Sequence, residues 1–209
     1  MDSQYFETRY APHPDRNRVW KAICEYLQPF IPPRSIVLEL GPGYCDFINQ
    51  IQAGGKFAVD VNPDVARLCG PDVRFLHATA IESLDLPAAS VDVVMASNLL
   101  EHLSPQQCSS LFDRLDEVLK ATGRVIVIQP NYFYSYRSYW DDFTHVRAFS
   151  HVSLSDFLVS RGYRLLRVEK RFLPFSFKSF LPKSYWITRL YLASFWRPLA
   201  AQMLVVAQR

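Results

Sequence analysis

The chain has 209 residues, 49% of them hydrophobic and 21% charged, an ordinary globular mix with enough apolar material for a sizeable core. Its net charge of +3 is too small to demand a nucleic-acid partner. The polar opening MDSQYFETRYAPHPDR is not a signal peptide, nothing approaches the ~18 apolar residues of a membrane span, and the 4 cysteines (Cys24, Cys45, Cys69, Cys108) form no CxxC pair and have no His at zinc-ligand spacing, so the expectation is a cytoplasmic protein with reduced thiols and no metal.

Residues 15–30 place Val19, Ile23, Leu27 and Phe30 on one helical face, and Pro32-Pro33 stop that helix. Ser35–Leu40 is a short apolar run between Pro and Gly and predicts a buried strand. Lys56–Val61, Val73–His77, Val91–Ser97 and Gly123–Gln129 predict four more. Between the last two, Pro105–Ala121 predicts a helix with Leu111, Leu115, Val118 and Leu119 on one face and Gly123 just past its end. A further helix is predicted at Ser153–Arg161, capped by Ser153 and stopped by Gly162, followed by strands at Arg164–Lys170 and Gln202–Gln208. Strands alternating with helices imply an α/β protein with a mostly parallel, doubly wound sheet of the Rossmann kind.

The sharpest motif is VLELGPGYCDF at 37–47. Gly41 and Gly43 follow a buried strand directly, and a turn without Cβ atoms lets backbone amides approach a ligand. Glu39 lies just inside the strand end. Asp60 ends the next strand, 17 residues after Gly43, where a carboxylate can accept both hydroxyls of a ribose. The bland alternative is a tight strand–helix turn with surface acids, but the carboxyl ends of strands are where open α/β sheets bind ligands.

ELGPGYCDF, followed by FAVDVNPD, SNLLEHL and a GRVIVIQPN strand, resembles the class I S-adenosylmethionine (SAM)-dependent methyltransferases over roughly residues 35–209. The resemblance implies seven strands with the last antiparallel, and SAM as cofactor. It also implies that Glu39, Gly41 and Gly43 line the methionine end, that Asp60 takes the ribose and that Val61 packs on adenine. Ser97 and Asn98 close the other side, and Glu101 and His102 neighbour the point of methyl transfer. Two departures stand out: Cys45 where many members carry a third Gly, and HATA at 77–80 where many carry an Asp, which leaves adenine contacts to Thr79 and the backbone of Ala80. The implied organisation is one domain over 1–209: a helical N-terminal cover (1–34) folded over the cofactor, a SAM-binding core (35–171), an aromatic and basic insertion (172–200) and the last strand (201–209).

A second cluster leaves the fifth strand on the same edge. Tyr132, Phe133, Tyr134, Tyr136, Tyr139 and Trp140 crowd together, and Asp141, Asp142 and His145 follow. Aromatic rings with polar tips suit a pocket that stacks on a ring or sugar face, so Tyr132, Tyr136 and Trp140 are candidate acceptor contacts, with an aromatic core layer as the alternative. An Asp142–His145 pair would tune an imidazole as general base, His145 first and His102 second. WDDFTH is loosely similar to methyltransferases associated with glycan assembly, which hints at a saccharide or small-molecule acceptor and O-methylation.

Between Arg161 and Arg197 the chain carries nine basic residues and a single acid, Glu169, interleaved with aromatics. Segment 171–197 is therefore either a lid with its own small core or a surface for an anionic membrane. Two rival functions remain. A NAD(P)-binding oxidoreductase would show G-x-G-x-x-G, and position 46 is Asp46. A catalytically silent methyltransferase-fold binding module would have lost cofactor residues, and Glu39, Gly41, Gly43 and Asp60 are present. Oligomeric state is not legible.

Overall fold

The structure is a computed structural model that describes residues 15–79, 84–174 and 183–209. Seven strands form one sheet: β1 (Ile36–Leu40), β2 (Gly55–Asp60), β3 (Val73–His77), β4 (Val91–Ser97), β5 (Leu119–Pro130), β6 (Arg164–Glu169) and β7 (Gln202–Gln208), in the order β3-β2-β1-β4-β5-β7-β6. The first five run parallel, and β7 lies antiparallel between β5 and β6. The expected architecture, including the antiparallel C-terminal strand, is the one observed.

Both faces of the sheet are covered, which is why its central strands read as continuous apolar runs rather than as alternating patterns. Leu38, Leu40, Val94, Val125, Val127, Met203 and Val205 face one layer, where Leu111 and Leu115 of α3 (Pro105–Val118) pack with Leu154 and Leu158 of α5 (His151–Ser160). Their neighbours Val37, Met95, Ile126, Ile128, Leu204 and Val206 face the other layer. There they meet Val19, Ile23 and Leu27 of α1 (Arg16–Leu27), Phe47 and Ile48 of α2 (Asp46–Gln50) and Leu192 of α6 (Tyr185–Ala193). Each such side chain contributes about 1.5–3 kcal/mol by leaving water.

Two boundaries differ from expectation. Helix α3 ends at Val118, and Leu119 already pairs with Val91 of β4, so Leu119–Ala121 are strand. Gly123 is therefore no helix cap: a Cβ there would fall 2.7 Å from Leu119 Cδ2 and 2.9 Å from the Lys120 carbonyl oxygen, and only glycine fits. Helix α5 starts at His151 because Ser150, not Ser153, caps it; Ser153 closes the reciprocal side of a capping box. Gly162, at φ +86°, ends it as expected.

In the basic, aromatic insertion, α6 packs on α1: the Tyr185 hydroxyl donates to Glu25 at 2.7 Å, and Lys21 lies 5.5 Å from the Tyr185 ring centre. Arg197 and Tyr26 close on the buried Glu169 carboxylate. The two ends of the insertion meet at a Pro174–Ala200 bridge. Residues 1–14, 80–83 and 175–182 lie outside the described residues, and with them the first part of the N-terminal cover and the middle of the insertion. Among the described residues no helix is long and apolar enough to cross a membrane.

Candidate functional site

Because β1 to β5 are parallel, their carboxyl ends share one edge, and the order reverses between β1 and β4. Connections from these two strands run to opposite sides, opening a crevice there. The chain leaves β1 through Gly41 (φ +60°), Gly43 (φ +56°) and Cys45 (φ +57°), which curl it back over the strand end. Two glycines take this left-handed backbone freely, while Cys45, at the third position, adopts it at a cost of about 1–2 kcal/mol. A Cβ on Gly41 would sit 3.4 Å from Leu99 Cδ1, so the turn lies close against the segment after β4.

Asp60 faces this turn from the end of β2. Its Oδ1 accepts the Asn62 amide at 2.8 Å, and the carboxylate also accepts the amides of Val61 and Gly43. Burial raises its pKa, and these amides oppose the shift. Asp60 thus fastens the glycine turn to β2 in addition to being the candidate ribose anchor. Glu39 is buried, and its Oε2 accepts the Ile48 amide at 3.0 Å, one of the free donors at the start of α2. Burial pushes its carboxyl well above the ordinary range. The described contact of Glu39 therefore holds the turn and helix in place.

Val61 offers an exposed apolar side chain just past β2, and the half-buried Thr79 follows β3. Ala80 lies outside the described residues. At the end of β4, Ser97 is half-buried. Asn98 (φ +50°) donates its amide to the Ile128 carbonyl at 2.8 Å and accepts from Gln202 Nε2 at 2.8 Å. Glu39, Gly41, Gly43, Asp60, Val61, Thr79, Ser97 and Asn98 thus all lie at or next to one sheet edge.

Beyond Asn98 a short 3-10 turn, Leu100–His102, carries Glu101 and His102. The Glu101 carbonyl accepts the amides of Val146 (2.9 Å) and Arg147 (3.2 Å), which pins the 142–147 segment over the end of β4. The Glu101 side chain is 1% exposed, and among the described residues neither carboxylate oxygen has a hydrogen-bond partner. Burial, with Asp142 adding to it, lifts its pKa to about 8.

His102 Nδ1 lies 3.2 Å from the Thr144 carbonyl oxygen and 3.0 Å from Thr144 Oγ1, and that hydroxyl donates to Asp142 Oδ1 at 2.7 Å. His145 is buried, with Nδ1 2.6 Å from the Tyr139 carbonyl oxygen and its ring centre 5.0 Å from that of His102. A carbonyl can only accept, so each Nδ1 carries a proton. Asp142 closes a local turn onto the Thr144 amide and hydroxyl and so reaches His102 through Thr144.

The aromatic run divides between core and surface. Tyr139 is core: it is fully buried and its hydroxyl donates to the Arg147 carbonyl at 2.6 Å. Tyr132, which opens the short helix α4 (Tyr132–Ser135), stands edge-on to it at 5.2 Å and is half-buried, while Tyr136 and Trp140 are exposed. Sequence reasoning missed Thr144, the Tyr139 carbonyl and Gln129, whose buried amide at the end of β5 has no partner. Gln129 carried a signal, a polar residue closing an apolar strand; the other two had none.

Residues 37–123 match the family model of a methyltransferase domain. Over 144 residues the chain is 23% identical to the phosphoethanolamine N-methyltransferase of Plasmodium falciparum; the match covers 65% of this chain and 50% of that protein, so the chain spans about half the length of that curated relative. Among solved structures, a SAM-dependent methyltransferase from Archaeoglobus fulgidus matches with a TM-score of 0.71 at 22% identity, covering 99% of this chain and 98% of that one. The N-methyltransferase NodS from Bradyrhizobium japonicum, solved with S-adenosyl-L-homocysteine, matches with a TM-score of 0.66 at 14% identity, covering 99% and 97%. At these identities the structural likeness is one of fold.

Proposed function

We propose that the chain is a class I SAM-dependent methyltransferase and that it methylates a hydroxyl of a small-molecule or saccharide acceptor held between the ends of β4 and β5. The observation that carries this is the convergence on one crevice of the glycine turn, Asp60 and the Glu101–His102–His145 cluster. The dehydrogenase alternative is set aside by topology: the dinucleotide-binding order 3-2-1-4-5-6 lacks the antiparallel β7 between β5 and β6. A silent binding module is disfavoured because the residues that would hold the cofactor are present and share that edge.

Bound SAM supplies a methyl group on a sulfonium that is its own leaving group. The chain's residues then need chiefly to align donor and acceptor and exclude water, a positioning effect that contributes about 7–11 kcal/mol in favourable cases. Gly41 and Gly43 leave room for the cofactor, and Glu39 holds the turn that frames its methionine end. Asp60 takes the ribose hydroxyls, Val61, Thr79 and Ala80 flank the adenine, and Ser97 and Asn98 close the far side. Tyr132, Tyr136 and Trp140 form the acceptor wall. The proton of the acceptor hydroxyl leaves at the cluster of His102 and His145, with Asp142 behind Thr144. One domain carries all of this.

An amine acceptor is the second reading, favoured by the unpartnered Glu101 carboxylate and by relatives described as N-methyltransferases. We further propose peripheral contact with anionic membrane through 171–197, where Trp186, Leu190, Phe195 and Trp196 are exposed beside Arg189. Calorimetry with SAM, followed by a mass-spectrometric screen of SAM against glycans, small hydroxyl compounds and amines, tests the function. Absence of SAM binding would refute it, and methylation of amines alone would select the second reading.

A further inference from the structure

The tertiary structure assembles a group that no sequence spacing announces. One potential ligand atom from each of Glu101, His102 and His145 lies within 4.8 Å of the others. We infer that these three residues bind a divalent transition-metal ion of the zinc or cobalt kind. Zinc holds nitrogen and carboxylate oxygen at about 2.0–2.2 Å, so neighbouring ligands of a tetrahedral ion lie about 3.4 Å apart. The cluster therefore closes on an ion with shifts of about one ångström in each ligand.

The Glu101 carboxylate is the independent observation. A buried polar group is normally hydrogen-bonded, because leaving it bare costs the full desolvation of the group. Both of its oxygens are buried and unpartnered, and one belongs to the cluster. An ion would satisfy both at once.

With Nε2 as the ligand atom, each imidazole would be held as metal ligands usually are. The other ring nitrogen of a ligating histidine donates to a carbonyl or carboxylate, which fixes the tautomer and aims the ring. His145 Nδ1 does this at the Tyr139 carbonyl. His102 Nδ1 does it at Thr144, whose hydroxyl hands the chain on to Asp142. Two imidazoles with one carboxylate suit zinc, cobalt or iron better than magnesium or calcium, which prefer oxygen alone.

Three protein ligands leave at least one position of the ion open. Here the inference rests on, and deepens, the proposed function. An acceptor hydroxyl bound at the open position would be acidified by the ion and release its proton to water. The proton would still leave at this cluster, with the imidazoles holding the ion that acidifies the hydroxyl.

The test is calorimetric titration of chelator-stripped protein with ZnCl2, CoCl2 and MgCl2, with cobalt's visible absorption as a second readout. One zinc or cobalt ion per chain is expected, bound at least about tenfold more tightly than magnesium. Glu101→Gln, which keeps the shape and removes the charge, should weaken cobalt at least about tenfold and change the cobalt spectrum. Cys69→Ser should change neither, which separates this site from the Cys45–Cys69 pair, whose sulfurs lie 3.4 Å apart. If Glu101→Gln does not fold, His102→Gln at its half-buried position carries the same test. Failure of both zinc and cobalt to bind, or affinity unchanged in the Glu101 and His102 variants, overturns the site. SAM titrations on the same preparations keep the two ideas apart: SAM without an ion refutes the metal site, whereas an ion without SAM upholds it and refutes the proposed function.

Discussion

Replacing Asp60 with Ala should weaken SAM binding about 10- to 150-fold. Asp60 closes β2 at the crevice and stands as the candidate ribose anchor, and a hydrogen bond to a charged acceptor contributes about 1.5–3 kcal/mol. One such bond lost corresponds to that fold-change at about 1.4 kcal/mol per factor of ten. The structure adds a second effect. The amides of Gly43, Val61 and Asn62 all lose their acceptor, so the glycine turn loosens. Water at the crevice mouth can replace part of those bonds, and the cost to the cofactor-free protein should be about 1–2 kcal/mol, a fall of roughly 2–8 °C in Tm. Asp60→Asn is the shape control. It keeps an oxygen for the Asn62 amide, sets an NH2 group against the other donors, and should bind SAM as poorly as the Ala variant. Calorimetry measures the affinity, and thermal melts with and without SAM separate binding from folding. SAM affinity within twofold of wild type in both variants, with the fold intact, would refute Asp60 as the anchor.

Gly43→Val should remove detectable SAM binding while circular dichroism stays that of a folded protein, because a β-branched residue at φ +56° distorts the turn and not the core; normal binding would show that the cofactor does not meet this turn. His145→Ala should leave SAM affinity nearly unchanged and lower kcat about 100-fold or more, the pattern of a group used in the chemical step; equal losses in SAM binding and turnover would make His145 structural. Glu39 is held well above the ordinary carboxylate range by burial, so folding favours its neutral form. The stability it contributes is full below its unfolded pKa and is lost as pH rises through the ordinary range toward the raised value. Glu39→Gln should therefore gain Tm relative to wild type as pH rises above the ordinary carboxylate range, and parallel curves would contradict the assignment. The membrane proposal predicts co-sedimentation with anionic but not neutral vesicles, lost at high salt and reduced in Trp196→Ala; binding to neither leaves the insertion as a lid.

The sequence by itself determined what depends on short stretches of chain. β1 and β4 were legible because a strand buried on both faces must be apolar throughout and must be ended by turn residues. Gly41, Gly43 and Asp60 were legible because they lie within one strand–helix–strand unit, where parallel pairing brings the ends of β1 and β2 to the same edge whatever the rest of the chain does. What depended on partners far along the chain was not written there. Leu119–Ala121 suit the helix pattern as well as a strand, and only pairing with Val91 across the sheet decides between them. Ser150 and Ser153 both suit a helix cap, and only the path of the preceding chain selects Ser150. Asp142 accepts from the Thr144 amide and hydroxyl, a local turn that the order of residues does not announce. The meeting of Glu101 and His102 with His145, more than forty residues later in the chain, was decided by tertiary structure alone. The Glu101 carbonyl receives the amides of Val146 and Arg147, and that backbone contact brings the two segments together; a backbone hydrogen bond leaves no mark on which side chains the sequence carries.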